Sequence, residues 1–187
     1  ASGGALYRKS SFLLDSLGEQ VFASGINLNE DPHLLRGLGS SPFDAEGVAT
    51  SAREVVRDGV VQGYFLGSYS ARKLGMQSTG NAGGSHHLSL ASGTLDFAGL
   101  LKKMGRGLVV TELLGHGINS VTGDYSRGAA GFWVEDGVIA YPVHEITIAG
   151  NLKTMFRGIV EVGTDVLDRG SRRTGSILID NMTIAGN

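Results

Sequence analysis

The chain has 187 residues, of which 41% are apolar and none is cysteine, and a formal net charge of −2 from 16 basic and 18 acidic residues. This length is typical of a single domain with its own core, and the lack of cysteine excludes disulfide bonds and thiolate metal ligands. The near-neutral charge, with one short basic cluster at 168–173, argues against binding to nucleic acid, and no apolar run reaches the ~20 residues that a membrane-spanning helix needs.

The first half of the chain contains one clear hairpin signal. Residues 11–21 are apolar with polar interruptions, which favours a strand or a short helix, and Asn27–Pro42 has the composition of a loop. In the stretch 55–61, Asp58-Gly59 lies between β-branched residues and predicts a type I′ turn. Short strands are predicted at 64–66 and 88–90.

Two helices are predicted from capping residues and apolar spacing. Thr94 is a candidate N-cap for the first, with Asp96 in its first turn and Gly105 at its end. Its apolar positions keep helical spacing: Leu95, Ala98, Leu101 and Met104. Asn151 is a candidate N-cap for the second, which is expected to run to Val162, before Gly163. Its apolar stripe is expected to face the core: Leu152, Met155, Phe156, Ile159 and Val160.

The second half otherwise indicates strands, at 108–113, 131–135, 138–148 and 176–179. Asp136-Gly137 repeats the hairpin signal. The letters TIAGN occur at 147–151 and again at 183–187, an echo too short to define a repeat fold. Together these elements predict an α+β domain, predominantly antiparallel β with a few helices, folded as a curled sheet or a barrel-like sandwich.

The stretch from Leu108 to Trp133 is the most informative part of the chain. An apolar run gives way to polar residues between glycines, with neither helical nor alternating period. Glycine allows tight turns and close approach of another chain, and polar residues on such loops often bind ligands. We predict that residues 115–128 line a cavity or an inter-subunit surface; a solvated loop is the alternative. The candidate substrate or interface residues are Glu112, His116, Asn119, Thr122, Asp124, Ser126 and Arg127.

The possible metal motifs are incomplete. His144-Glu145 begins like a zincin motif, but no second histidine follows one helical turn later. His86 and His87 are adjacent, so in a strand they point to opposite faces unless a turn intervenes. His33 precedes two leucines in a loop and belongs to no recognisable ligand motif. No metal site is therefore predicted in this chain.

No catalytic set can be assembled from the motifs either. Glu112 and His116 could meet across a glycine turn as an acid and base pair. Ser126 lacks the G-x-S-x-G setting of a nucleophile elbow. The glycine-rich stretch 115–120 only partly imitates a phosphate loop, because no amphipathic helix follows it. We predict no catalytic residue in this chain.

Long motifs nevertheless resemble a known family. TELLGHGINSVTGDYSRGAAGFWVEDG and YPVHEITIAGNLKTMFRGIVEVG are similar to the C-terminal part of proteins in the PmbA (TldE) branch of the PmbA/TldD family. LYRKSSFLLDSLGEQ, PHLLRGLGSSPFDAEGV and SYSARKLGMQSTGNAGG match the same branch in the same order, so the resemblance covers nearly the whole chain.

The resemblance implies a two-subunit cytoplasmic metallopeptidase that acts on peptides or unfolded segments. In this family the TldD subunit carries a His-Glu-x-x-x-His zinc motif and a cysteine ligand, and this chain has neither. It implies that residues 1–187 form the C-terminal β-rich domain of a longer protein, whose N-terminal domain is absent here, and that zinc belongs to a TldD-like paralogous partner.

Two other functions remain open from the sequence. One is a zinc peptidase in its own right, using some of His86, His87, His116 and His144. The other is a regulator that binds DNA gyrase, as an older label of the family, "modulator of DNA gyrase", suggests. A basic surface patch would favour the regulator, and the charge balance does not.

Overall fold

The structure is a computed structural model and describes residues 1–186. Within that range the helices are short, and they are α1 (Gly3–Tyr7), α2 (Ser68–Leu74), α3 (Phe97–Met104) and α4 (Leu152–Arg157). The strands in chain order are β1 (Leu28–Asp31), β2 (Arg53–Arg57), β3 (Val60–Val61), β4 (His87–Leu90), β5 (Gly107–Leu114), β6 (Asp124–Glu135), β7 (Val138–Asn151), β8 (Ile159–Val162), β9 (Leu167–Arg169), β10 (Arg172–Thr174), β11 (Ile177–Ile179) and β12 (Thr183–Ala185).

The strands form three sheets. A six-stranded sheet has the order β3-β2-β1-β4-β10-β9, a four-stranded sheet has the order β12-β7-β6-β5, and β8 pairs with β11. All pairs are antiparallel except β4 with β10. The predicted α+β class with mostly antiparallel sheet is confirmed, and the sheets do not close into a barrel.

Both predicted hairpins are confirmed at their turns. Asp58 and Gly59 have φ of 47° and 79°, and Asp136 and Gly137 have φ of 49° and 73°. Positive φ at both central positions is the type I′ geometry, whose twist matches the twist of the flanking strands. The second turn joins β6 and β7, the two longest strands.

Helix α3 starts later than predicted. Asp96, not Thr94, is the N-cap, since its side chain accepts a hydrogen bond from the Gly99 N–H at 2.8 Å. The helix ends at Met104 before Gly105, as expected. Its buried residue is Leu100, which the predicted stripe did not include.

Helix α4 is capped by Asn151 as predicted, but it is half the expected length. The Asn151 side chain accepts from the Lys153 N–H at 3.0 Å, and the helix ends at Gly158. Residues Ile159–Val162 form β8 instead, which pairs with β11. The prediction of a helix to Val162 is therefore wrong, because three of these four residues are β-branched and their partner strand favours the extended form.

The predictions for the first half were less accurate. Residues 11–21 are a series of turns and form neither a strand nor a helix. The expected loop Asn27–Pro42 contains β1, which pairs on both sides with β2 and β4. At 64–66 there is only an isolated bridge, between Phe65 and Ser2.

The two TIAGN echoes pair with each other. In the β7–β12 ladder, Thr183 opposes Ala149, Ile184 opposes Ile148 and Ala185 opposes Thr147. The last letter of the second echo, Asn187, lies outside the described residues. The two similar segments are thus neighbouring strands of one sheet.

Apolar side chains form two buried clusters. The first lies around α1 and α2 and contains Leu6, Val21, Val61, Tyr64, Leu66 and Ala71. The second lies between the four-stranded sheet and α4 and contains Tyr125, Ala129, Ile146, Ile148 and Met155. The second cluster holds the predicted site segment, since β6 supplies two of its members.

Candidate functional site

The stretch 108–133 is mostly a β-hairpin. Leu113 opposes Ala129 and Leu114 opposes Gly128 in the β5–β6 ladder, and the connection covers only residues 115–123. The register shifts between Val110 and Glu112, which is a β-bulge. This bulge interrupts the alternating pattern and explains why the sequence shows no strand period there. Three predicted loop residues, Asp124, Ser126 and Arg127, are in fact on β6.

The connection from 115 to 123 folds back along β6. Gly115 has φ of 74°, where the chain turns, and Ile118 then forms an isolated bridge with Tyr125. The Ser126 N–H donates to the Gly117 carbonyl at 2.7 Å, and the Asn119 N–H donates to the Asp124 carbonyl at 2.8 Å. A Cβ at position 117 would collide with the Ser126 carbonyl, so glycine is required there.

Three of the candidate residues hold this connection in place. The Asn119 side chain accepts from the Val121 and Thr122 N–H groups at 3.0 and 3.3 Å, which closes an Asx turn. The Thr122 hydroxyl donates to Asp124 at 2.6 Å, and the Asn151 amide donates to Asp124 at 3.0 Å. These two hydrogen bonds hold the pKa of the Asp124 carboxyl below its usual value. The connection is thereby fixed to the N-cap of α4.

The other four candidates differ in how they are held. Glu112, His116 and Ser126 are exposed, and their side chains make no hydrogen bond within residues 1–186. The acid and base pair considered for Glu112 and His116 is therefore not formed in the described part of the chain. Arg127 is half-buried, and its Nη2 donates to the Leu113 carbonyl at 3.2 Å. Its Nε is buried and has no hydrogen-bond partner among the described residues.

A shallow cavity of about 580 Å³ lies beside the connection. It is lined by segment 116–120 and by the start of β6, and its lining includes His116, Asn119, Asp124 and Ser126. The lining thus combines an imidazole, a carboxylate, an amide and a hydroxyl.

Three of the five histidines lie close to the six-stranded sheet and are hydrogen-bonded there. The His33 ring is 3.2 Å from the Thr50 hydroxyl. The two ring nitrogens of His86 face the carbonyls of Gly39 and Gly80, at 3.3 and 3.1 Å. Buried His87 accepts from the Gly39 N–H at 2.8 Å. His86 and His87 thus tie the segment that follows β1 to the start of β4 and to the residue before it. His33 and Thr50 both lie in the connection between β1 and β2.

His144 and Glu145 form a bulge in β7. Ala129 opposes Ile146 but Gly131 opposes Val143, so two residues of β7 face one of β6. Glu145 has φ of 54°. This geometry excludes the helix that a zincin motif requires. Both residues line a second cavity of about 490 Å³, together with Tyr141, Pro142, Val143 and Gly186.

Within residues 1–186, no three side chains of His, Asp or Glu are grouped so that they could hold a metal ion. The same part of the chain has no helix both long and apolar enough to span a membrane.

A group of exposed apolar side chains surrounds the connection. Leu114 is 50% exposed and Ile118 is 54% exposed, and Val110, Leu113 and Val121 are exposed in the same segment. Leu114, opposite Gly128, and Ile118, opposite Tyr125, lie on different faces of the sheet, because successive residues of β6 alternate between faces. We call these five residues the apolar patch. Sequence analysis singled out the polar residues of this segment and missed the apolar ones. No sequence signal separates an exposed leucine at a sheet edge from a core leucine.

The chain is similar to known proteins over its whole described length. Residues 1–186 match the family model described as the PmbA/TldA metallopeptidase C-terminal domain. The chain is 58% identical over 185 residues to a protein of Escherichia coli O157:H7 named metalloprotease PmbA, and the match covers 99% of this chain and 41% of that protein.

Two solved structures share the fold. A protein of Bacteroides thetaiotaomicron described as a candidate modulator of DNA gyrase has a TM-score of 0.94 and 35% identity, over 100% of this chain and 42% of that one. TldE from Thermococcus kodakarensis has a TM-score of 0.86 and 26% identity, over 99% of this chain and 45% of that one. The chain thus spans about two fifths of the length of these relatives.

Proposed function

The chain belongs to the PmbA/TldD metallopeptidase family, and we propose that it is the subunit without zinc in a two-subunit peptidase of this family. In this proposal a TldD-like paralogous chain holds the zinc ion, which activates water for hydrolysis. The present chain completes the assembly and encloses the cavity that receives peptides or unfolded segments, in the cytoplasm. Residues 1–187 act as the C-terminal β-rich domain of the longer protein.

The observation that carries the proposal is the apolar patch. Leu114 and Ile118 lie on the two faces of one end of a rigid hairpin, with polar residues around them. Exposed apolar groups rimmed by polar groups are typical of surfaces that bind another protein. The patch therefore supports a subunit interface at the end of the hairpin.

The histidine positions support giving the zinc to the partner. A zinc site takes three or four ligands, with nitrogen within about 2.1 Å of the metal. His33, His86 and His87 already bond to a hydroxyl, to carbonyls and to a backbone N–H. His116 follows β5 and His144 lies in the bulge of β7, so the two line different cavities.

The test is reconstitution from purified subunits. The full-length protein is mixed with each candidate TldD-like paralogue, the complexes are isolated, and the zinc content of each subunit is measured. We expect zinc in the paralogue alone and chelator-sensitive peptide cleavage only by the mixture. Stoichiometric zinc in the present chain, with chelator-sensitive cleavage by that chain alone, would overturn the assignment and favour a peptidase in its own right.

A further inference from the structure

Helices α1 and α2 carry a row of two tyrosine rings with a cation at each end. The Arg8 guanidinium carbon lies 5.5 Å from the centre of the Tyr7 ring, and Lys73 Nζ lies 5.6 Å from the centre of the Tyr69 ring. The two rings meet edge to face, with their centres 5.7 Å apart. Tyr7 is half-buried and the other three side chains are exposed. We call these four residues the basic aromatic surface.

The cations of this surface form no ion pair within the described part of the chain. The ion pairs found there involve other basic side chains. The sequence explains this, because residues 1–14 and 59–95, which contain both helices, include no aspartate or glutamate. Glu46 does reach α2, but it accepts from the first N–H of that helix, at the end opposite to the cation. Exposed Lys9 and Arg72 add further positive charge next to the row.

The two helices are packed closely, so the surface is preformed. Each helix contributes a buried side chain to the first core cluster, Leu6 from α1 and Ala71 from α2. A Cβ at Gly3 would collide with the Ser70 hydroxyl, so the contact between the helices requires glycine there. Side chains held on such a support lose little conformational entropy when they bind a ligand.

We propose that the basic aromatic surface binds an acidic segment of another polypeptide. One carboxylate pairs with Arg8 and a second with Lys73, and the side chains between them lie against the tyrosine rings. Each separation along the row is below 6 Å, so a segment of about five residues, at about 3.3 Å each, spans both cations. The inference goes beyond the proposed function and does not depend on it, since no residue of the apolar patch takes part.

A nucleic-acid ligand is disfavoured by the geometry of the rings. Bases stack on open aromatic faces, but Arg8 lies over one ring and Lys73 over the other, and the rings meet at 80°. Nucleic-acid binding also depends on many phosphate contacts by basic residues, whereas this chain has a formal net charge of −2. A short acidic peptide needs only a few such contacts.

The test compares three labelled probes by fluorescence anisotropy with the full-length protein. They are the acetylated and amidated peptides SEELEES and SQQLQQS and a single-stranded oligothymidylate. We expect SEELEES to bind at least about tenfold tighter than SQQLQQS at low salt, and the difference to shrink at high salt because the charges are exposed and screened. Equal affinity of the two peptides at low salt would overturn the inference. Tighter binding of the oligonucleotide than of SEELEES would overturn it in favour of a nucleic acid.

Paired substitutions assign the preference to this surface. Arg8→Gln together with Lys73→Gln is expected to abolish the preference for SEELEES. Lys102→Gln together with Lys153→Gln removes the same charge from exposed positions on α3 and α4 and is expected to keep it. A preference that survives in the first double variant, or that is lost equally in both, would overturn the inference.

Charge reversal gives a readout that a purely structural role would not change. Arg8→Glu together with Lys73→Glu is expected to bind the basic peptide SKKLKKS more tightly than the wild type does, and unchanged binding of that peptide would overturn the inference. Positive charge at the C-terminal end of a helix also stabilises the helix, so the melting temperature of the glutamine double variant is measured as well. Because both side chains are exposed, we expect it to stay within a few degrees of wild type. A fall of more than about 10 °C would show that these cations serve the fold and would count against the inference.

Discussion

At the scale of single residues, two buried carboxylates organise the segment around the six-stranded sheet. Glu30 is 2% exposed and accepts hydrogen bonds from Arg53 Nε, the Asn81 amide and the His86 N–H, each at 2.8 Å. A buried charge is tolerated when it is paired and fully hydrogen-bonded. Glu30 thus fixes β1 to β2 and to the segment before β4.

Asp44 is the second buried carboxylate. Its oxygens accept from the N–H groups of Ala82, Val48 and Glu46, at 2.9, 3.0 and 2.9 Å. Burial acts to raise the pKa of Asp44, but these three donors, together with the nearby His86, outweigh it and lower the pKa. The ionised form is therefore favoured by folding, and Asp44 stabilises the native state at neutral pH.

We predict that Asp44→Asn lowers the free energy of unfolding at pH 7 by roughly 1–3 kcal/mol, because an amide cannot accept all three bonds. A lowered native pKa gives stability that is present above the ordinary value near 3.8 and is lost as pH falls through the native pKa. The difference between wild type and variant should therefore shrink below about pH 4. Urea unfolding of wild type and Asp44→Asn from pH 7 to pH 3 measures this difference in the free energy of unfolding. Glu19→Gln, at an exposed position, is the control. A difference that is constant over this range would contradict the prediction.

At the scale of elements, hairpins were predictable and long-range pairing was not. Asp58-Gly59 and Asp136-Gly137 define their turns through local backbone preferences. β1 was missed because its sequence, LNED, is polar: Glu30 is buried through its bond to Arg53, which is 23 residues away. A strand stabilised by a buried ion pair carries no apolar signal.

The helix predicted from Asn151 failed for a related reason. Over the few residues that follow Gly158, a helical stripe and a buried strand both place apolar residues at similar positions. The choice is made by β11, with Ile177 opposite Val162 in the two-stranded sheet. A pairing partner 15 residues farther along the chain is invisible to a local pattern.

The candidate site shows the same limit. Asn119, Thr122 and Asp124 were selected as polar residues between glycines, and they turn out to bond to the connection itself and to Asn151. Turn-forming and ligand-binding loops share this composition. What remained unbonded, above all Arg127 Nε, depends on tertiary contacts and was not predictable from the sequence.

Glycine at the first hairpin turn provides an element-scale prediction. A Cβ on Gly59, at φ of 79°, would lie 2.5 Å from the Phe22 carbonyl oxygen and 2.6 Å from that of Ala23. Gly18 has φ of 80° but meets nothing within 4 Å. We expect Gly18→Ala to lower the free energy of unfolding by about 1–2 kcal/mol, because alanine is strained at positive φ. Gly59→Ala should lower it clearly more, because its Cβ also meets the two carbonyl oxygens. Chemical denaturation of both variants measures the difference, and equal losses would show that the turn can move away from residues 22–23.

At the scale of the whole molecule, the second core cluster supports the end of the hairpin that carries the apolar patch. The second core cluster binds β6 and β7 to α4, and Asp124 with Asn151 ties the end of the hairpin to that helix. The apolar patch at the same end is therefore presented on a rigid support. A preorganised surface binds at lower entropic cost than a mobile loop does.

The last prediction tests this surface directly. Charging it with the double substitution Leu114→Asp and Ile118→Asp should weaken assembly with the TldD-like partner at least tenfold, since carboxylates would be buried in an apolar contact. The melting temperature of the isolated variant should be unchanged, because both side chains are about half exposed.

Leu167→Asp is the matched control, since Leu167 is 65% exposed on β9, at the edge of the six-stranded sheet. Isothermal titration of the purified partner into each variant gives the affinities, and chelator-sensitive cleavage by the mixtures gives the functional readout. Under the proposal, assembly and cleavage fall together in the double variant and persist in Leu167→Asp. Assembly of the double variant at wild-type affinity would mean that the patch is not the subunit interface. The apolar side chains at the end of the hairpin would then need another partner.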